Sequence, residues 1–209
     1  AEINIHTLIK AAIDFTFSRI KTTKEKTNYE KNGLATNKID SGAASNSGDS
    51  GAASNSGYSG AASNSGYSGA ASNSGDSGAA SNSGYRGAAS NSGDRGAASN
   101  SGDSGAASNS GYRGAASNSG DRGAASNSGD SGAAFTIGNY SSAETNAKES
   151  VAVAVGYSNK AKASLGSWIV LAERNNELEI LSIQSFKVDG KEIKENVWYE
   201  LKKGKLKVA

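Results

Sequence analysis

Small apolar and small polar residues alternate through the middle of this chain, and the period does not slip. Residues 42–131 hold ten consecutive copies of Gly-[Asp/Tyr]-[Ser/Arg]-Gly-Ala-Ala-Ser-Asn-Ser; the first complete one opens at Gly48 and closes at Ser56. Three degenerate copies keep the phase downstream, at 138–146, 147–155 and 156–164. Position 6 is alanine throughout (Ala53, Ala143, Ala152, Ala161), whereas positions 5 and 7 admit Glu144, Lys160 and Lys162. Positions 4, 6 and 8 therefore face inward and positions 5, 7 and 9 outward, which is the period of a β-strand. Glycine at positions 1 and 4 leaves Gly-Asp-Ser-Gly or Gly-Tyr-Arg-Gly to turn the corner.

Nine residues make half a coil. Two units close an 18-residue coil of two facing parallel strands, so the exact copies supply about five coils rising on the order of 24 Å. Gly/Ser-rich stretches ordinarily behave as flexible linkers. A linker, however, has no reason to hold a strict period or to confine its variation to two adjacent positions. A fixed period instead points to stacked units that contact mainly their neighbours.

The flanks differ from the repeats. Over residues 4–20, Ile5, Leu8, Ile9, Ala12, Ile13, Thr16, Phe17 and Ile20 recur three or four apart, the pattern of an amphipathic helix. Such a helix packs on the first coil, meets another subunit or lies on a membrane surface, with Ile5, Ile9, Ile13 and Phe17 as candidate assembly residues. Residues 21–40 read as a polar tether anchored by Leu34 and Ile39. Beyond Ser131 the outward positions turn apolar, at Phe135, Ile137, Val151, Val153 and Val155. Residues 165–209 then read as a separate, small antiparallel β cap. Strands are expected near 168–172, 178–188, 197–201 and 205–208, with Asp189-Gly190 the strongest hairpin signal and Lys203-Gly204 a second turn. Trp168 and Trp198 are the large residues there and join the assembly candidates. The expected architecture is all-β: a parallel β-solenoid, or β-roll, over 42–164, preceded by a helix and tether over 1–41 and closed by the cap over 165–209.

Composition narrows the chemistry. The chain of 209 residues has no cysteine and one histidine, His6, so disulfides, thiol catalysis and most zinc chemistry are excluded. His6 stands alone on the expected helix and reads as a surface histidine. No cofactor is expected, and the chain does not read as an enzyme. Residues 42–131 carry four arginines against six aspartates, no basic groove for nucleic acid. Nonapeptide calcium repeats share the period but need a Gly-Gly pair and an aspartate in every unit; here the Gly-Gly pair is missing, four of the ten corners carry tyrosine and none has more than one acid, so calcium is not expected. Nothing is long and apolar enough to span a bilayer. The variable corners leave two readings: a solvated edge, or a recognition ridge of Tyr58, Tyr67, Tyr85, Arg86, Arg95, Tyr112, Arg113 and Arg122.

Ser150-Val-Ala-Val-Ala-Val-Gly156-Tyr-Ser-Asn-Lys-Ala-Lys-Ala163 resembles the β-roll head of trimeric autotransporter adhesins, whose repeats carry Ser-x-Ala-x-Gly. The likeness covers about two rungs. The Gly-Tyr/Asp-x-x-Ala-Ala units followed by Leu165 to Glu173 are also similar to uncharacterised bacterial and prophage-encoded repeat proteins. These resemblances imply a β-solenoid and transfer no catalytic residue. The functional expectation is a structural rod or the subunit of a self-assembling homo-oligomeric fibre or filament, extracellular or virion-associated. The alternative is a binding module that presents its serine, tyrosine and aspartate arrays to glycan or ice.

Overall fold

The computed structural model describes residues 27–30 and 33–209. The expected helix over 4–20, with Ile5, His6, Ile9, Ile13 and Phe17, lies outside the described residues. Within them the period of two is realised as strands of four residues, one per unit, from Ala43–Asn46 (β3) to Ala124–Asn127 (β12). Each shows the second and fourth residue buried and the other two facing out. Two earlier strands, Thr27–Glu30 (β1) and Leu34–Asn37 (β2), and four later ones, Ala133–Thr136 (β13), Ser142–Thr145 (β14), Val151–Ala154 (β15) and Lys160–Ala163 (β16), belong to the same stack.

Successive strands alternate between two sheets. Odd-numbered strands form sheet 1 and even-numbered strands sheet 2, each strand pairing in parallel with the one two units away. Ala52 is level with Ala70 and Ala61 with Ala79, a shift of eighteen residues per coil. The sixteen strands make about eight coils, rising roughly 38 Å at the usual strand spacing. No helix occurs among the described residues.

The interior is built from alanine at position 6 and asparagine at position 8, each about 1% exposed along the repeats (Ala53, Asn55, Ala80, Asn82). Alanine burial contributes little free energy against about 1–2 kcal/mol of backbone entropy lost per ordered residue. The asparagines supply what alanine does not. Asn82 Nδ2 donates to the Gly69 carbonyl of the coil below (2.8 Å), while its Oδ1 accepts the Gly84 N–H of its own corner (2.7 Å). Asn64, Asn73 and Asn91 repeat both bonds. Each side chain thus ties two coils together and closes a corner.

The asparagine also fills the space beside position 4 of the next unit. A Cβ on Gly87 would lie 2.1 Å from Asn82 Oδ1. The two positions share one seat, and the degenerate coils show it changing hands. Where position 8 shrinks to Thr136, Thr145 and Ala154, position 4 grows from glycine to Ser141, Ser150 and Asn159. Ser141 Oγ then donates to the Gly120 carbonyl (3.1 Å) and accepts the Gly123 N–H (3.2 Å). Asn159 Oδ1 accepts the Ser141 N–H (2.8 Å). The corner keeps a polar side chain bonded to the coil below, now through the position 1 carbonyl and the position 4 N–H, from a residue five places further along the chain.

Both ends differ from the sequence expectation. Part of the expected tether is already coil: Gly33-Leu-Ala-Thr-Asn37 occupies positions 4 to 8, and β2 pairs with β4 (Ala52–Asn55) in register. At the other end, Trp168–Arg174 (β17) is no separate body. It continues sheet 1 in parallel on β15, with Ile169 and Leu171 fully buried over the last alanines. Ile180–Lys187 (β18) then pairs with β17 antiparallel. Tyr199–Lys202 (β19) lies antiparallel on β16, and Lys205–Val208 (β20) follows it. Asp189-Gly190 does not make the expected hairpin, because the next strand belongs to sheet 2. The Asp189 carboxylate accepts the N–H groups of Lys191 and Ile193 (2.9 and 3.0 Å), and this local turn accompanies the crossing between sheets. Lys203-Gly204 does form its turn, with both residues at positive φ.

The shared seat makes a specific prediction. Gly87→Ser alone overpacks the corner and lowers unfolding free energy by about 1–3 kcal/mol. Asn82→Thr alone leaves the Gly84 N–H without its acceptor and takes from the Gly69 carbonyl one of its two donors, the Ala88 N–H remaining, at a cost of about 1–3 kcal/mol. The double variant reproduces the Thr136/Ser141 pair and should lose clearly less than the sum of the two. Chemical denaturation of the four proteins reads the coupling; strict additivity would contradict the exchange.

Candidate functional site

The corners are where the repeats vary. With eighteen residues per coil, Tyr67, Tyr85, Arg86 and Arg122 stack along one corner and Tyr58, Arg95, Tyr112 and Arg113 along the other. The candidate ridge residues are therefore divided between two edges, as two units per coil predicts. Tyr67 and Tyr85 stack ring on ring, with centroids 5.3 Å apart and planes 16° from parallel. Arg86 and Arg113 lie over Tyr85 and Tyr112 at 5.8 and 5.2 Å. Among the described residues no corner arginine forms an ion pair with an aspartate; the ion pairs are Lys162–Glu144 and Lys202–Glu200.

The corner peptides bond along the stack and reverse direction partway. In early coils the position 3 N–H points back to the preceding corner, as from Arg86 to the Tyr67 carbonyl and from Arg95 to Asp76 (2.9 and 2.7 Å). In later coils it points forward, from Ser104 to Asp121 and from Arg122 to Asn139 (2.8 and 2.7 Å). Ser104, Arg122 and Ser131 there take φ of 58°, 55° and 55°, which non-glycine residues adopt rarely. The side chain at position 2 accompanies the reversal. Asp121 Oδ1 accepts the Asn139 N–H (2.6 Å), and Asp130 Oδ1 accepts that of Lys148 (3.1 Å). Tyrosine has no acceptor placed to do this, and none of the corners with reversed bonding between Ser104 and Ser131 carries tyrosine at position 2. These aspartates hold backbone, and among the described residues no three or more His, Cys, Asp or Glu side chains gather as a metal site.

The two candidate tryptophans fall on opposite sides. Trp198 lies half-buried on the sheet 2 side, under the ammonium groups of Lys160 and Lys162 at 5.1 and 4.9 Å. Lys162 also pairs with Glu144 at 3.0 Å. Trp168 stands on the outer face of sheet 1, 44% exposed. Ile5, Ile9, Ile13 and Phe17 lie outside the described residues.

Sequence reading passed over the polar cluster at the C-terminal end. A recess of about 110 Å³ is lined by Tyr157, Asn159, Glu173, Arg174 and Lys202. The buried Asn159 Nδ2 has no hydrogen-bond partner, while the other groups bond the surrounding structure. Tyr157 Oη donates to Asn176 Oδ1 (3.0 Å), and Arg174 Nε to the Val155 carbonyl (2.7 Å). The Glu173 carboxylate accepts the N–H groups of Gly204 and Lys203 (2.7 and 2.6 Å), which hold its pKa below the ordinary value, with a smaller contribution from Lys207. Asp189 is lowered likewise, first by the Ile193 N–H and then by that of Lys191. Among the described residues no helix is long and apolar enough to cross a membrane.

Comparison of the chain with protein-family models, with curated proteins and with solved structures finds no match in any of the three.

Two measurements probe these contacts. The Tyr67 and Tyr85 rings are about half exposed, so a double-mutant cycle to alanine should return a coupling of about 0.5–1 kcal/mol, not several. For Glu173 the folded pKa is depressed, so its stabilising contribution is present above the ordinary carboxylate pKa and is lost as pH falls through the lowered folded value. NMR titration should show the Lys203 and Gly204 amide shifts moving together in that acid range. Glu173→Gln should flatten both curves.

Proposed function

We propose that the chain is a structural repeat protein, a solenoid rod that serves as the subunit of a self-assembling fibre, extracellular or phage-associated, and acts through its shape and surfaces without catalysis. The observation that carries this reading is the use of polar groups. From Asn64 to Asn91 the buried amides bond the coil below and their own corner. The corner aspartates, Glu173 and Arg174 bond backbone in turn. Chemistry of this kind maintains a regular stack.

The antiparallel pairs β17–β18 and β19–β20 serve in this reading as the C-terminal cap. Open ends of parallel sheets present unpaired backbone groups that invite further strands. β20 carries Lys205 and Lys207 along its free edge, a residue type that discourages such pairing. End-to-end growth then proceeds without strand addition at this end, the amphipathic pattern over 4–20 of the next copy supplying the joint against it. A contact between unlike ends is heterologous and extends without closing. The outward Ser-x-Ser ladder of Ser54 and Ser56, with Ser54 level with Ser72 and Ser72 with Ser90, favours the binding-module reading, since it repeats two hydroxyls per coil on an otherwise plain face.

Sedimentation and negative-stain imaging across a concentration series test the fibre. Mass should grow without limit as concentration rises, and regular fibres should vanish when Ile9 and Phe17 are made lysine. A mass that never exceeds a small closed oligomer would end the fibre reading.

A further inference from the structure

We infer that the outer face of sheet 1 at its C-terminal end is a docking surface for a second copy of the same face, making a side-by-side dimer. The inference is independent of end-to-end growth and rests on what replaces serine and alanine at the outward positions of the last coils. On sheet 1, Ser117 is followed at the same level by Phe135, Val153 and Val170 on β13, β15 and β17. The neighbouring row runs from Ala133 through Val151 to Trp168. β18 extends the sheet, placing Ile183 level with Ala172. Lys187 and Ser185 are the polar residues at the ends of these rows.

Sheet 2 departs from the same consensus in the opposite sense. Its outward positions 5 and 7 become Ser142 and Glu144, then Lys160 and Lys162, and these charges pair with one another and cover Trp198. The two faces of one coil have thus been given contrary surfaces, so the apolar one is not a by-product of the fold. It is open: Trp168, Ile183 and Leu181 are 44%, 54% and 58% exposed, and Phe135 is 38%.

Its properties select the occupant. The exposed apolar area of the patch is roughly 600 Å² per copy, so a face-to-face pair removes on the order of 1,200 Å², the lower bound for a specific interface. A contiguous apolar patch of this size stands at the upper end of what a soluble monomer leaves in water, and such patches often mark interaction sites. It carries no carboxylate and no basic row that would choose a charged partner. Pleated faces from two identical sheets interdigitate as in a sandwich, and a patch that meets itself closes at two.

The test uses the full chain with Ile9→Lys and Phe17→Lys, so that end-to-end growth is removed. Sedimentation equilibrium should give a dimer whose mass stops at two. Adding Val153→Lys or Ile183→Lys should weaken the dimer by about 100-fold or more, since each buries an unpaired charge in both copies. Val153→Lys is compatible with folding, because Lys162 holds the same repeat position on sheet 2; an unchanged circular dichroism melt confirms it. Ser81→Lys, mid-stack on the same sheet, should leave the dimer intact. A monomer at every concentration, or a dimer insensitive to Val153→Lys and Ile183→Lys but lost in Ser81→Lys, would overturn the inference. Absence of fibres in the unmodified chain bears on the proposed function alone.

Discussion

Everything in this molecule depends on one buried seat at each corner, filled by a single polar side chain that satisfies two coils at once. A coil lined by glycine and alanine has almost no apolar mass to bury, so its cohesion must come from backbone ladders and from amides that leave few donors unpaired. Asn82 shows the economy of the arrangement: one bond downward to Gly69, one inward to Gly84, and no room left for a side chain at Gly87. The same logic explains why the degenerate coils are not defects. Thr136 with Ser141 and Ala154 with Asn159 place the bonding polar atom from the opposite side of the seat, at the cost of leaving Thr136 Oγ1 and Asn159 Nδ2 buried without a partner.

Most of the stack was legible in the sequence because it is written many times over. Ala53, Asn55 and their equivalents gave the strand period and the inward face, and eighteen residues per coil placed Tyr67 beside Tyr85 before any coordinates. Legibility fell where a signal occurred once. Gly33-Leu-Ala-Thr-Asn37 carries the pattern of positions 4 to 8, but Leu34 in an outward position hid it among polar residues. Asp189-Gly190 has hairpin composition, yet a turn dipeptide cannot say which sheet receives the next strand. The corner reversal at Ser104 and Arg122 was invisible, since a flipped peptide changes direction without changing the residues that flank it. Glu173 escaped notice because its partners, Lys203 and Gly204, are backbone groups thirty residues away.

The candidate sites separate along the same line between repeated and unique. The corner tyrosines and arginines mostly attend to one another, with Arg86 over Tyr85 and Arg113 over Tyr112. The last coils, where copies diverge, hold the contrast between an apolar and a charged face. Trp168 and Trp198 look equivalent as sequence, but one stands in water and the other lies beneath two lysines.

Because consecutive units fall on opposite sheets, the number of units sets an angle as well as a length. Adding eighteen residues inserts one whole coil, lengthens the rod by about 5 Å and leaves the terminal strands facing as before. Adding nine would move β13 to the other sheet and carry every later strand with it, turning the apolar face and its charged counterpart half a revolution relative to the first coil. Copies of this protein that differed by an even number of units would therefore be interchangeable in an assembly that reads both ends, and odd differences would be out of phase. Uniform repeats make such a rod adjustable in length only in steps of two.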